Sequence, residues 1–365
     1  MIDRRTFLAS LFGITALGGI GAIAPPEDQG EAFGPEQKGR LPRVSVIGLG
    51  GGGSGICRAL QPRLSTFPGD IRFTVINTDQ EALERADRQG AMKTLLIGTR
   101  SEGAGFHRAD PRHGQMAVRE NREKLSREVE GTDIALLVAG LGGGMGTGAA
   151  PEVAEICRAA GALTIAVVTM PFSFEGERRG TIARQGIARL RGAADAVIEL
   201  SLDDMLDLQQ RQIRASECFL QADDVVAQVT ADLVYALAGE KAFSLDRNSL
   251  AGVGRLHAGF GEVRGHEGSG REAMGQAVSC PFLPHGALRR ASKVFVTIAG
   301  GEDLLLQDVT ESIHELKKQL PEDSTIIFSV NKRPELADIF RVMILAAGTK
   351  NAALPDNVVP FRRRT

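Results

Sequence analysis

Six glycines fall within nine residues at 140–148, GLGGGMGTG, with only Leu141, Met145 and Thr147 between them. Apart from one hydroxyl, no side chain there can act as acid, base or nucleophile, so the chemistry on offer is that of the backbone. Glycine reaches positive φ without steric cost, which lets successive N–H groups turn inward and an anion come close. A short apolar run, Ile134 to Val138, leads in as a strand, and a helical pattern from Glu152 to Ala160 leads out. The helix start adds free N–H groups and a partial positive charge, so the whole is a phosphate-binding design. A tight turn alone would need one or two glycines. No Gly-Lys-Ser/Thr follows, which excludes a Walker A loop.

A second glycine-rich loop, 48–55, contains Gly50, Gly51, Gly52 and Gly53. It joins a strand at Val44 to Ile47 to a helix at Ile56 to Leu64, and the next strand, Ile71 to Ile76, ends in Asn77-Thr78-Asp79. Alone, this G-x-G-x-x-G followed by an acid suggests a Rossmann-type, NAD-binding oxidoreductase. Against it, the chain has two such loops about 90 residues apart and no His, Lys or Tyr constellation for hydride transfer.

Further elements must position these loops. Leu163 to Thr169 and Ala196 to Leu200 read as strands, and Ser216 to Ala238 as a long, mostly buried helix with apolar residues at spacings of three and four. Residues 252–270 read as a glycine-rich loop, followed by a helix at Arg271 to Ser279. Strands at Val294 to Ile298, Ile326 to Val330 and Val342 to Ala346 then flank a helix at Leu306 to Leu320. The net charge of −2 gives no electrostatic footprint for nucleic acid. Four widely spaced cysteines fit buried thiols in a reducing compartment, and no metal-ligand spacing occurs among the six histidines.

Gly142 to Gly148 resembles the GGGTGTG signature of the tubulin/FtsZ superfamily, with Met145 in place of the usual first Thr. VIGLGGGGSG resembles the first nucleotide loop of FtsZ, INTDQEAL its VNTDAQAL segment with Asn77 and Asp79 matched, and MPFSFEGERR its KPFxFEGxxR. Residues 101–114 resemble the third loop, keeping Gly103 and Gly105 but with Phe106, His107 and Arg108 intruding and Asp110 for Asn. The resemblance implies an α/β fold: a doubly wound GTPase domain over 41–215, a central helix over 216–240 and a smaller α/β domain over 241–350. Residues 1–40 would stand apart as a signal-like or anchor segment with linker, and 351–365 as a short basic tail.

The resemblance further implies GTP or GDP as ligand, with Mg2+ admissible beside GTP. The nucleotide would lie on the glycines named above and Thr147, with Glu175 at the ribose and Arg179 at the ribose or guanine edge. Phe219 would stack on guanine, and Asp223 would accept from its N1 and N2 donors. Residues 242–250 resemble the synergy loop that reaches the neighbouring subunit's nucleotide, with Asp246 for the first acid and Ser249 for the second. A hydroxyl cannot position the attacking water with a full negative charge, so weak or lost hydrolysis is expected. The partners implied are copies of itself, head to tail in a protofilament, or another FtsZ that it regulates without polymerising.

Arg4 and Arg5 precede an apolar run, Phe7 to Ala24, ending Ala22-Ile23-Ala24 before Pro25, which are the parts of a twin-arginine signal. A nucleotide-exchanging assembler and four cysteines favour the cytoplasm. The segment then reads as a peripheral membrane contact through residues 7–24 or as a mis-assigned start, while export of residues 25–365 stays open.

Overall fold

The computed structural model describes residues 40–87, 90–98, 110–208, 214, 217–238, 247–250, 253–265 and 268–348. The amino-terminal segment, Gly103, Gly105, Asp246 and the basic tail lie outside them.

The first half alternates strand and helix. β1 (Val44–Leu49) runs into α1 (Gly50–Leu60), β2 (Ile71–Asn77) into α2 (Gln80–Ala86), and a short edge strand β3 (Lys93–Leu96) follows. α3 (Pro111–Glu120) and α4 (Arg122–Glu128) lead to β4 (Ile134–Gly140), α5 (Gly144–Ala159), β5 (Leu163–Met170), α6 (Glu177–Ala193), β6 (Ala196–Ser201) and α7 (Leu202–Leu208). The central helix α8 (Cys218–Ala238) and a short α9 (Arg247–Leu250) precede β7 (Gly254–Arg264). The second half adds α10 (Ser269–Val278), α11 (Ala287–Arg290), β8 (Lys293–Gly300), α12 (Leu306–Lys317), β9 (Thr325–Lys332) and β10 (Ile339–Ala347).

All ten strands form one sheet, in the order β3-β2-β1-β4-β5-β6-β7-β10-β8-β9. Strands β1 to β6 are parallel, and β4 is apolar and buried from Ile134 to Ala139, as expected for a strand covered on both faces. β6 pairs in parallel with β7, which joins the two halves, and β10 lies antiparallel between β7 and β8. One core cluster packs α1 and α8 against one face, and another packs α5 and α6 against the other. The four cysteines are free and buried.

Four sequence expectations are corrected. Residues 50–55 and 144–148 are helical, so the glycine stretches are largely the first turns of α1 and α5 rather than loops. The last residues of the expected third loop, Pro111 to Gly114, likewise open α3. Residues 254–264 form a strand, not a loop, because Gly261 lets α10 come so near that a β-carbon there would sit 2.0 Å from the Ala273 carbonyl oxygen. The expected helix to Leu64 ends at Leu60, where Pro62 forces a 3-10 turn over Gln61–Leu64.

The central helix is tied to the second half by a buried ion cluster. Arg333 Nη1 lies 2.7 Å and Arg341 Nη1 3.6 Å from Asp232 Oδ1, with Asp232 and Arg333 only 2% and 3% exposed. Removing the shared carboxylate leaves the buried Arg333 with Glu335 alone, 2.9 Å from its Nε, and Arg341 with the more exposed Glu262. Asp232→Ala should therefore lose roughly 3–5 kcal/mol of stability, whereas Asp232→Leu combined with Arg333→Met should lose less than the sum of the single changes. Urea denaturation of the wild type, Asp232→Ala, Asp232→Leu, Arg333→Met and the double variant measures this.

Candidate nucleotide site

Strand β1 has β2 on one side and β4 on the other, and chain direction around the sheet reverses between β1 and β4. Crevices at such a switch point, outside the carboxyl ends of parallel strands, are where open α/β sheets bind ligands. A cleft of about 380 Å³ opens there, lined by Gly50 to Gly52, Asn77 to Asp79, Gly140 and Gly143 to Gly146, with Arg85, Gly98, Asp110, His113, Gly114 and Arg179 around them.

The cleft's floor is backbone. α1 begins after Leu49 and α5 after Gly143, and neither start has a side-chain cap or an acid in its first turn. Two helix N-termini, one from each face of the sheet, thus present free N–H groups to one space. Gly50 has φ 69° and Gly142 φ 96°, conformations that make the joins from strand to helix. By contrast, α2 and α3 are capped by Asp79 and Asp110, which accept from the Ala82 and Arg112 N–H groups. Hydrogen bonds from Arg112 hold the Asp110 carboxyl down at about 2, so it remains ionised beside His113.

The expected site residues divide into two sets. Gly50, Gly51, Gly52, Asn77, Asp79, Gly143, Gly144, Met145, Gly146 and Arg179 line the cleft. Gly53, Gly142, Thr147 and Gly148 lie behind it and serve packing. A β-carbon on Gly53 would meet the Val138 carbonyl oxygen at 2.4 Å, and one on Gly148 the Pro111 carbonyl oxygen at 1.9 Å. The Thr147 hydroxyl, buried, accepts from the Gly142 N–H at 2.8 Å and braces the join.

Glu175, Phe219 and Asp223 stand outside the cleft lining. Glu175 Oε1 accepts from the Phe172 N–H at 2.9 Å, and its other oxygen lies 3.2 Å from Arg179 Nε. The Asp203 carboxylate accepts from the Ser173 N–H, so two acids hold the segment that leads to Arg179. Phe219, at the start of α8, is 49% exposed and meets Phe172 edge-on at 5.5 Å, while Phe172 stacks on Phe174 at 4.8 Å. Asp223, one turn later, presses on α1, where a β-carbon on Gly55 would lie 2.0 Å from its Oδ2. Burial, with Asp224 adding and Arg58 opposing, pushes the Asp223 carboxyl up to about 7. Ser249 sits half-buried in α9 and does not line the cleft.

Sequence reasoning missed Arg85, Gly98, His113 and Gly114 as cleft residues. His113 and Gly114 lie in the matched third-loop segment, and Arg85 one helical turn beyond Glu81 on α2, so spacing on the predicted helices held a signal for them.

Two family models match the chain: the GTPase domain of the Tubulin/FtsZ family over residues 43–210, and the C-terminal domain of the FtsZ family over residues 254–350. Among solved structures, an empty FtsZ dimer from M. jannaschii is similar at 28% identity and a TM-score of 0.76, over 84% of this chain and 88% of that one. CetZ2 from Haloferax volcanii, a GTPγS-bound protofilament, has the same fold at 19% identity and a TM-score of 0.70, over 85% and 94% of the two chains. CetZ from Methanosaeta thermophila has it too, at 18% identity and a TM-score of 0.66, over 84% and 87%.

The Asp223 carboxyl has a measurable consequence for stability. In the unfolded chain it ionises near its ordinary value of 3.8, but in the folded protein it keeps its proton up to about 7. Between these values the unfolded state binds fewer protons, so stability should fall as pH rises, by on the order of 1 kcal/mol per pH unit, and level off above 7. Asp223→Asn should remove that slope in urea denaturation between about pH 5 and 7.

Proposed function

Because this chain belongs to the tubulin/FtsZ family, we propose that it binds GTP and GDP in the cleft between α1 and α5 and assembles head to tail with its own kind or with another FtsZ. The observation that carries the reading is the convergence of two uncapped helix N-termini on one cleft at the strand-order reversal. Phosphates take their hydrogen bonds from the N–H groups of Gly50 to Gly52 and Gly143 to Gly146. Asn77 and Asp79 flank them at the end of β2, and the Arg179 guanidinium adds positive charge at the rim. Glu175 faces the ribose, Phe219 stacks on the base, and Asp223 accepts from guanine N1 and N2, donors that adenine lacks. Among the described residues no group of three acids, histidines or cysteines could hold a metal ion, so Mg2+ would arrive with the phosphates and keep its waters.

Self-association is supported by the dimer formed by the M. jannaschii FtsZ relative. Slow or absent hydrolysis is supported by Ser249 at the second acid position of the synergy loop and by Met145, a cleft residue without the hydroxyl that the family carries there. The same two residues favour a second reading, a nucleotide-bound regulator of another FtsZ that does not itself turn over. Among the described residues no helix is long and apolar enough to cross a membrane. In the proposed arrangement residues 7–24 make a peripheral membrane contact while the folded part works in the cytoplasm.

Above pH 7, where the carboxyl is ionised, Asp223→Ala should weaken GTP binding by about 1–3 kcal/mol, through loss of a charge-assisted hydrogen-bond pair, and leave the weak ATP binding unchanged. Competition titrations on the unmutated protein decide the assignment, since ATP competing as well as GTP would remove the base-reading role. A water-positioning acid commonly contributes about 10²–10⁴ in rate. Ser249→Asp should therefore raise phosphate release, most steeply at high protein concentration where subunits meet. Turnover that is unchanged by the substitution and independent of concentration would refute catalysis at a shared interface.

A further inference from the structure

At the opposite end of β2 from Asn77 and the cleft, the outer side of the strand lies open. The Asp70 carbonyl accepts from the Val44 N–H of β1, and the Asn77 carbonyl from the Ile97 N–H on the other side. Strand alternation therefore turns the backbone groups of Ile71 and Phe73, like those of Asn77, away from β1. β3 takes up that side only from Thr74, which pairs with Lys93, so among the described residues no strand flanks residues 71–73 there. A groove of about 920 Å³ runs along this edge. An open strand edge is a template for a further stretch of extended chain, and folded proteins cover or charge such edges.

The groove has two unlike walls. On the face of the sheet that α1 covers, Leu64 and Phe67 are buried and Ile71 and Phe73 half-buried, all in one apolar cluster. On the other face three cations, Arg72, Lys93 and Arg127, line the groove with a single acid, Glu128. Glu128 accepts from the Thr74 hydroxyl at 3.0 Å and pairs with Lys93. The other two cations are held loosely at exposed positions. Arg72 Nη2 lies 3.8 Å from Asp70 Oδ2, and Arg127 Nη2 3.6 Å from Glu123 Oε2. Exposed pairs of that kind contribute little and give way readily to another carboxylate.

We infer that this groove is the docking site of the chain's own residues 27–36, EDQGEAFGPE. That stretch carries four acids, no lysine or arginine, and one aromatic, Phe33. Its acids match the wall of Arg72, Lys93 and Arg127, and Phe33 matches the wall of Leu64 and Phe67. The reach is sufficient. The described chain starts at Arg40 and enters β1 at Val44, which is in register with Ile71. The open side of β2 lies two strand spacings, about 10 Å, from β1, and residues 34–39 span up to about 20 Å. The groove is separate from the glycine cleft, and its occupant does not depend on what that cleft binds.

The chain has no tryptophan, so Phe33→Trp in the full chain introduces a single indole whose quenching by acrylamide reports its burial. Quenching should be well below that of the same chain unfolded in urea. Arg72→Glu with Arg127→Glu, both at exposed positions, should lower the ratio of docked to free segment roughly tenfold and raise quenching accordingly. High salt should act in the same direction on the unreversed groove, which keeps the test independent of how the variants fold. Lys318→Glu with Lys332→Glu makes the same change in net charge at exposed positions elsewhere, and should leave quenching unchanged. An indole quenched as freely as in urea would overturn the proposal. So would shielding that survives both high salt and the groove reversals, or that falls equally with the control pair. Shielding that is lost on dilution would assign the groove to another copy's segment and overturn it as well.

Discussion

Backbone packed directly on backbone is the constraint from which the rest of the structure follows. For two helices on opposite faces to begin at one point of the sheet edge, their first turns must pass closer to β4 than any side chain permits. A β-carbon on Gly146 would stand 2.3 Å from the Gly140 carbonyl oxygen, and one on Gly53 2.4 Å from that of Val138. Where the two helices cross β4 the cradle therefore admits no side chain, and what it offers there is N–H groups. Discrimination has to come from its surroundings, from the end of β2, from Arg179, and from the start of α8.

Asp223 illustrates the cost of that arrangement. It is a carboxylate pressed against a glycine of α1, with burial outweighing the help of Arg58. Burial also disfavours ionisation of the neighbouring Cys57, on α1 itself, whose thiol is pushed up to about 12 first by burial and then by the Asp223 charge. A fold selected for stability alone would place an amide or an apolar group there. In the proposed role, a ligand with two matched donors would relieve this under-compensated acid.

The sequence signalled the nucleotide loops strongly and the elements holding them weakly, for a physical reason. Glycine runs are conspicuous, but glycine costs a helix about 1 kcal/mol relative to alanine, so propensity argues against the helical first turns that close packing enforces. The same bias hides β7, whose glycines 254, 259 and 261 break the apolar alternation although α10 needs the bare backbone. Strands β8 to β10 were legible because their runs are dense in apolar residues, broken only by Thr297 and Ser329 between Val294 and Ile298, Ile326 and Val330, and Val342 and Ala346. The Asp232–Arg333–Arg341 cluster joins residues about 100 positions apart, and no local pattern announces it.

The central helix binds these parts together through a polar line along an otherwise apolar rod. Asp224, Gln228, Asp232 and Tyr235 are spaced four, four and three residues apart, hence on one face. Arg63, in the turn that directly follows α1, reaches Asp224 at 2.8 Å and Gln228 at 3.4 Å. Gln228 donates to Asp232, which holds Arg333 and Arg341, and Tyr235 sits beneath the Arg333 guanidinium at 4.0 Å while its hydroxyl lies 3.3 Å from that of Thr66. Apolar side chains can slide past one another by a fraction of a turn at modest cost, whereas the directional bonds of the buried Asp232 and Arg333 cannot, and the more exposed Arg63–Asp224 pair connects α1 to them. A shift of α1 along its axis must therefore be shared by α8 and the second half, or else break this line. The helix that begins the phosphate cradle is thereby in fixed register with strands at the far end of the sheet.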